Sequence, residues 1–259
     1  MIQRSTLILP NEQAPICLSP RLMQLAAWIS RGSKVLDVGT DHALLPIYLV
    51  QSGRVKSVIA GDVVEGPYQT AQRNVKMAQL ESTVDVRLGS GLSIVEPGEV
   101  DTVVIAGMGG GTIAEILDEG RDVLACVKDL LLQPMNAAGR LREALQKHGF
   151  VIVDEQMVEE SGRVYQLIFA QTSTECLVRA QYQHFMDKDQ HWLACEFGPL
   201  NLSRREEPFV REAVEASRDH FQGILNRLPV EAGDATTLRR EEIARHLSEM
   251  ESWLKEEHR

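Results

Sequence analysis

Five short strand-like segments, four of them followed by a stretch of helical period, leave this chain few ways to fold. Residues 35–39 read as a short buried strand, and 57–61, 84–88, 101–106 and 129–133 as four further strands. Helical patterns follow the first (43–50, with Pro46 expected to interrupt it), the second (66–79), the fourth (ending near Gly120) and the fifth (137–148, stopped by Gly149). Strands that alternate with helices make a parallel sheet covered on both faces. Two more strands then follow, 150–157 and 163–170, with only a loop containing Ser161-Gly162 between them. A connection that short cannot cross over the sheet, so this last pair must be antiparallel.

Two flanking regions are helical. Leu18-Ser19-Pro20-Arg21-Leu22 opens a helix running to about Ser30. Ser19 suits the N-cap, and Pro20 the first helical position, where a missing N–H costs nothing. After Thr172 the strand pattern stops. Residues 175–197 look helical, Gly198-Pro199 breaks them, and two apolar stripes follow. One is Val210, Val214, Phe221, Ile224 and Leu228. The other, beyond a turn at 229–234, is Ile243, Leu247, Met250 and Leu254. These stripes predict an antiparallel helical hairpin with a coiled-coil-like seam. The chain thus divides into residues 1–172 and 173–259, and the hairpin pattern favours a packing appendage over a substrate-recognition arm.

Composition narrows the partners. Net charge is −10, and the parts on either side of Thr172 are both acidic, which disfavours a broadly basic nucleic-acid binder. No run approaches the ~20 apolar residues of a membrane span, and residues 1–13 carry no signal-peptide pattern. Cys17, Cys126, Cys176 and Cys195 form no CxxC pair, and no His/Cys cluster has metal-ligand spacing. The expectation is reduced thiols in a cytoplasmic protein without a metal site.

The chemistry should lie at the carboxyl ends of the strands, where a doubly wound sheet opens a crevice. Asp37-Val38-Gly39-Thr40-Asp41-His42-Ala43 fills the turn after the first strand. Asp37 and Asp41 stand where a dinucleotide fingerprint has its first two glycines. A pyrophosphate would be repelled there, whereas a sulfonium cofactor carrying an ammonium group would be attracted. An NAD site is therefore disfavoured. Asp62, after the second strand, can accept hydrogen bonds from ribose hydroxyls or simply cap the next helix. Gly89 and Ser90 either border an adenine or are plain turn residues. The glycine run at 107–112 lacks the Gly-Lys-Ser/Thr of a phosphate loop. In a methyltransferase it would lie beside the transferring methyl. Gln133 and Asn136 end the fifth strand on the same rim, where their amides can orient an acceptor base, although Asn136 suits a helix N-cap equally well.

Taken together, these segments resemble one family, the bacterial tRNA (adenine-N1) methyltransferases that act at tRNA position 22. The matching pieces are Leu18–Leu22, Asp37–Pro46, Gly66-Pro67-Tyr68, Arg87–Leu92, Ile105–Gly110 and Leu132-Gln133-Pro134. The resemblance implies a Rossmann-like class I methyltransferase sheet with a terminal antiparallel strand pair, plus a C-terminal helical domain. It also implies S-adenosylmethionine as cofactor and tRNA as partner. Arg21, Asp37, Gly39, Asp41, Asp62, Gly89, Ser90, Gly107 and Met108 are the residues it assigns to the cofactor. Arg21 would meet the cofactor carboxylate, though a surface arginine is an equal reading. Asp41, His42 and Asn136 are its candidates on the catalytic side; a histidine opening a helix is more often structural. N1 lies on the Watson–Crick edge, so the target adenosine must be unpaired or flipped out. Three positions depart from the family pattern. Ser90 stands where aspartate is usual, Met135 is inserted between Pro134 and Asn136, and Asp62 replaces a glutamate. A methyltransferase for small molecules or proteins, and a non-catalytic cofactor-binding module, are the alternatives.

Overall fold

In a computed structural model the chain is described over residues 16–172, 191–229 and 233–256. The absence of a leader at 1–13, residues 175–190 of the helix expected at 175–197, Cys176 and residues 230–232 of the turn at 229–234 lie outside these residues. The first unit runs α1 (Pro20–Trp28), β1 (Val35–Val38), α2 (Leu44–Gln51), β2 (Val58–Asp62), α3 (Glu65–Met77) and β3 (Val84–Leu88). A 3-10 turn (Gly91–Ile94) leads to β4 (Thr102–Met108), α4 (Gly110–Glu119), α5 (Arg121–Leu124), β5 (Asp129–Pro134) and α6 (Ala138–Lys147). The hairpin β6 (Phe150–Glu160) and β7 (Arg163–Thr172) completes the sheet. Then come α7 (His191–Phe197), α8 (Pro199–Ser203), α9 (Pro208–Arg227) and α10 (Asp234–Lys255).

The sheet has seven strands in the order β3-β2-β1-β4-β5-β7-β6. β1 to β5 are parallel, and β7 is antiparallel to both β5 and β6. Both faces are apolar, as the unbroken hydrophobic runs require. On one face Leu36, Val103, Ile105, Leu130 and Leu132 pack under α4, α5 and α6. On the other, Val35, Val104, Leu131 and Leu167 pack under α1 and α2, and Trp28 stacks on Phe169 at 5.7 Å. Among the described residues no helix is long and apolar enough to cross a membrane.

Three local expectations need correction. Pro46 does not interrupt α2 but is its third residue, and is buried. The first four N–H groups of a helix have no intrahelical acceptor, so proline costs no hydrogen bond there. Ser19 and Asn136 do not cap. The Ser19 side chain makes no cap hydrogen bond, and it is Glu160 of β6 that accepts from the Arg21 backbone N–H at 3.2 Å. The residue preceding α6 is Ala137, in a left-handed conformation, and it too makes no side-chain cap.

The two apolar stripes meet as predicted: α9 and α10 pack antiparallel, Arg240 reaching Leu225 O and Leu228 O at one end and Arg205 reaching Trp253 O at the other. Their seam is not self-contained. Val210, Val214, Ile243, Leu247 and Met250 share one cluster with Leu193 and Phe197 of α7 and with Met157 and Val164 of the β6–β7 hairpin. A buried ion pair anchors this layer to the sheet. Arg142 of α6 donates to Glu155 of β6 at 2.8 Å, to the carbonyls of Cys195 and Glu196, and to Gln166. The second Glu155 oxygen accepts from Leu200 N of α8 at 3.1 Å.

Candidate active site

Five strands deliver their C-terminal ends to one rim, and the order reverses between β1 and β4, where an open α/β sheet opens its ligand crevice. The turn after β1 forms the floor. Gly39 N and Thr40 N both donate to Gly61 O, folding this turn over the end of β2. Gly39 has φ +72°, and a methyl group on it would collide with Met108 Cε. Glycine is needed there for its left-handed backbone, and any larger residue would also push the end of the Met108 side chain aside.

Carboxylates line this floor. Asp62 closes β2 with both oxygens engaged by backbone, Oδ2 accepting from Asp41 N at 3.2 Å and Oδ1 from Val64 N at 2.9 Å. Each carboxylate oxygen keeps a second lone pair. Asp37, the last residue but one of β1, accepts from Thr40 Oγ1 at 2.7 Å. Burial pushes the Asp37 carboxyl up to about 6; the Thr40 hydrogen bond opposes this and the neighbouring Asp62 charge adds to it. Two buried acids side by side are a site short of a cation. An adenosine carrying a sulfonium and an ammonium group fits such a donor set, with hydroxyls for Asp62 and positive charge for the Asp37 region.

This raised value has a consequence for stability. A carboxyl near 3.8 in the unfolded chain and near 6 in the folded one stabilises the fold fully below pH 3.8, and loses that contribution as pH rises through 6. A shift of about two units corresponds to roughly 3 kcal/mol. Urea-unfolding midpoints of wild type and Asp37→Asn should therefore diverge in their pH dependence. Wild type is expected to lose about 3 kcal/mol relative to the variant between pH 4 and pH 7. Parallel curves would show that Asp37 titrates normally.

Asp41 and Ala43 both lie at positive φ, 50° and 54°. Strain of this kind concentrates at functional turns. The loop is tied to α3 by Asn74 Nδ2, which donates to His42 O at 2.9 Å. The side chains of Asp41 and His42 are over half exposed, with His42 Nε2 3.4 Å from Asp41 Oδ2. Gly89 is joined to Asp62 by a backbone hydrogen bond of 2.9 Å, and exposed Ser90 follows it. Ile94 lies so close to Gly61 and Gly89 that a methyl on either would collide with it. No local pattern singled Ile94 out.

On the other side of the crevice the β4 and β5 loops are stitched together. Met135 N donates to Met108 O at 2.7 Å, and Gly110 N to Asn136 O at 2.9 Å. Asn136 is exposed on this rim, its Oδ1 beside Gly109. Gln133, whose amide was expected to face an acceptor, is instead fully buried. Arg21 reaches this same corner: its Nη1 donates to Gln133 Oε1 at 2.6 Å, its Nε to Glu160 at 3.1 Å, and its guanidinium lies 5.4 Å from the Tyr165 ring centre. The structure thus gathers Asp37, Gly39, Asp41, Asp62 and Gly89 on one side and Arg21, Gly107, Met108 and Asn136 on the other. His42 is half exposed beside Asp41. Among the described residues no cluster of His, Cys, Asp and Glu could hold a metal ion.

Comparison with known proteins bears on what this crevice holds. Residues 18–168 match the family model described as a methyltransferase domain. A curated Bacillus subtilis relative, a tRNA (adenine(22)-N(1))-methyltransferase, is 41% identical over 154 residues, covering 60% of this chain. That match spans 65% of the relative's own length, a little under two thirds. The crystal structure of the B. subtilis m1A22 tRNA methyltransferase TrmK superposes with a TM-score of 0.84 at 30% identity, over 93% of this chain and 100% of that one. A Streptococcus pneumoniae protein solved in complex with S-adenosyl-L-methionine has a TM-score of 0.77 at 36% identity, over 92% and 100%.

Proposed function

We propose, from the premise that this chain belongs to the methyltransferase family spanning its residues 18–168, that it methylates N1 of an adenosine in tRNA, at position 22. The observation that carries this reading is the extent of the likeness to TrmK, which takes in all of that chain, helical C-terminus included. The crevice agrees with it chemically, as carboxylates occupy the positions where a pyrophosphate-binding enzyme needs glycines. In this reading residues 1–172 form the cofactor-binding domain, residues 173–259 a helical domain, and the protein works in the cytoplasm, where tRNA is modified.

S-adenosylmethionine supplies a methyl group activated on its sulfonium. The protein's part is to hold and align. Asp62 accepts from the ribose hydroxyls, Gly39 and Asp41 line the methionine end with Arg21 at its carboxylate, and Gly89 and Ser90 border the adenine. Ser90 offers a neutral hydroxyl where the family has a carboxylate, so Asp62 bears more of the binding. The backbone of Gly107 and Met108 borders the methyl, the glycines of this loop let a flat base come close, and Asn136 and His42 orient that base. Attack by the N1 lone pair needs no covalent intermediate, so catalysis is mostly collinear placement of nitrogen, carbon and sulfur.

The reading is tested with methyl-labelled S-adenosylmethionine and unmodified bulk bacterial tRNA, followed by nucleoside analysis. Labelled 1-methyladenosine is expected, and a transcript with guanosine at position 22 should take up none. Cofactor binding without any labelled tRNA nucleoside would sink the assignment. Label in a different nucleoside would keep the enzyme but reject the site.

A further inference from the structure

Gln133 follows the three leucines of β5 and is fully buried at the corner where α1, β4, β5 and β6 converge. A buried carboxamide must find partners for an acceptor and two donors. Here Oε1 accepts from Arg21 Nη1 at 2.6 Å and from Gly107 N at 3.0 Å, and Nε2 donates to Pro134 O at 3.0 Å, with Met135 Sδ at 3.5 Å. The amide is used up inside the protein, so it cannot touch an acceptor base.

Gly107 explains why a side chain is needed there. The β4–β5 register slips between Ala106 and Met108, which makes Gly107 the extra residue of a bulge. A bulged residue loses its ladder partner, and the Gly107 N–H is met by the Gln133 side chain instead. Gly107 sits at φ +79°, a left-handed turn that aims the β4 loop across the crevice toward Gly39. Arg21 locks the same oxygen from above. It is itself held by Glu160, which takes both the Arg21 Nε (3.1 Å) and the Arg21 backbone N–H (3.2 Å).

We propose that Gln133 is a positioning residue for methyl transfer, fixing the Gly107 peptide and with it the loop edge along which base and methyl meet. The proposal rests on the methyltransferase reading above. Gln133→Leu keeps the volume and removes both bonds to Oε1. Gln133→Glu keeps an acceptor for Arg21 and Gly107. Arg21→Met removes the lock and also the guanidinium proposed to meet the cofactor carboxylate, so its Kd should rise and only its Gly107 exchange bears on Gln133.

The experiment measures three things for wild type and each variant: amide exchange at Gly107 by NMR, cofactor Kd by calorimetry, and kcat and KM on tRNA. For Gln133→Leu, Gly107 exchange should accelerate at least tenfold. Its kcat should fall about 10- to 100-fold, as a misplacement on the order of 1 Å costs, while Kd and KM stay within about threefold. Gln133→Glu should recover most of that kcat, and Arg21→Met should fall between the two in Gly107 exchange. Should Gln133→Leu not fold, the other two variants carry the test. Unchanged Gly107 exchange, equal losses in the Leu and Glu variants, or a loss confined to Kd in either of them each overturn the proposal. A wild-type protein that methylates no tRNA sinks the functional reading and the kinetic half of this one. Gly107 exchange then decides alone whether Gln133 holds the loop.

Discussion

Replacing Glu155 with alanine is expected to lower stability by about 3–5 kcal/mol, the usual cost of removing one partner from a buried ion pair. Arg142 and Glu155 are 1% and 0% exposed at their side chains. Burial pushes the Glu155 carboxyl up, and Arg142 together with backbone N–H groups pulls it back down. Without the carboxylate, the Arg142 charge would face mainly neutral partners, the carbonyls of Cys195 and Glu196 and the amide of Gln166. A fall in Tm on the order of 10 °C should follow for a chain of this size. The loss should include the helical layer, because Glu155 also holds Leu200 N of α8. A double variant, Arg142→Met with Glu155→Leu, is expected to regain most of the stability, since an apolar pair of similar volume replaces the ion pair. A Glu155→Ala protein within 1 kcal/mol of wild type in urea unfolding would show that nearby Glu196 takes over, or that water enters.

The second large effect concerns binding. Asp62→Ala is expected to weaken S-adenosylmethionine by about 100-fold or more, since hydrogen bonds to a charged group contribute roughly 1.5–3 kcal/mol each and two ribose hydroxyls are involved. The alanine also frees Asp41 N and Val64 N, which Asp62 now holds. The ligand-free thermal midpoint therefore has to be measured beside the calorimetric Kd. A tenfold or smaller change in Kd with an unchanged midpoint would place the ribose elsewhere.

Much of this arrangement was legible in the residues themselves. The strands could be read because most are short apolar segments bounded by turn residues and set between helical stretches, and the antiparallel pair because two strands had no crossover between them. Asp37, Gly39, Asp41 and Asp62 could be named as a group because a doubly wound sheet sends the ends of β1 and β2 to one crevice. What escaped depends on neighbours distant in sequence. Arg142 lies in Leu-Arg-Glu-Ala-Leu, which reads as an amphipathic surface helix, and its partners are 13 and 53 residues away. Glu160 serves the start of a helix 139 residues before it. Gln133 stood out as the polar end of an apolar strand, but which way its amide turned was decided by the bulge at Gly107 and by Arg21. Pro46 was misjudged for a local reason: even with the helix starting at 43 it falls in the first turn, where the backbone N–H has no intrahelical acceptor and proline interrupts nothing.

The strand order also constrains how the chain can be made. β7 lies between β5 and β6 although it is synthesised after both. Until residues 163–172 emerge from the ribosome, the whole parallel half of the sheet has an open flank, and that flank is Leu130, Leu131 and Leu132, each 0% exposed in the finished protein. An unpaired apolar edge of this kind is a template for pairing with another nascent chain. β7 finds in β6 a partner close in sequence and in β5 one about 40 residues earlier, so the strand that covers this flank is also the one that joins the hairpin to the parallel strands. The last strand to be translated is thus the one that seals the sheet, and a chain released early leaves its stickiest edge uncovered.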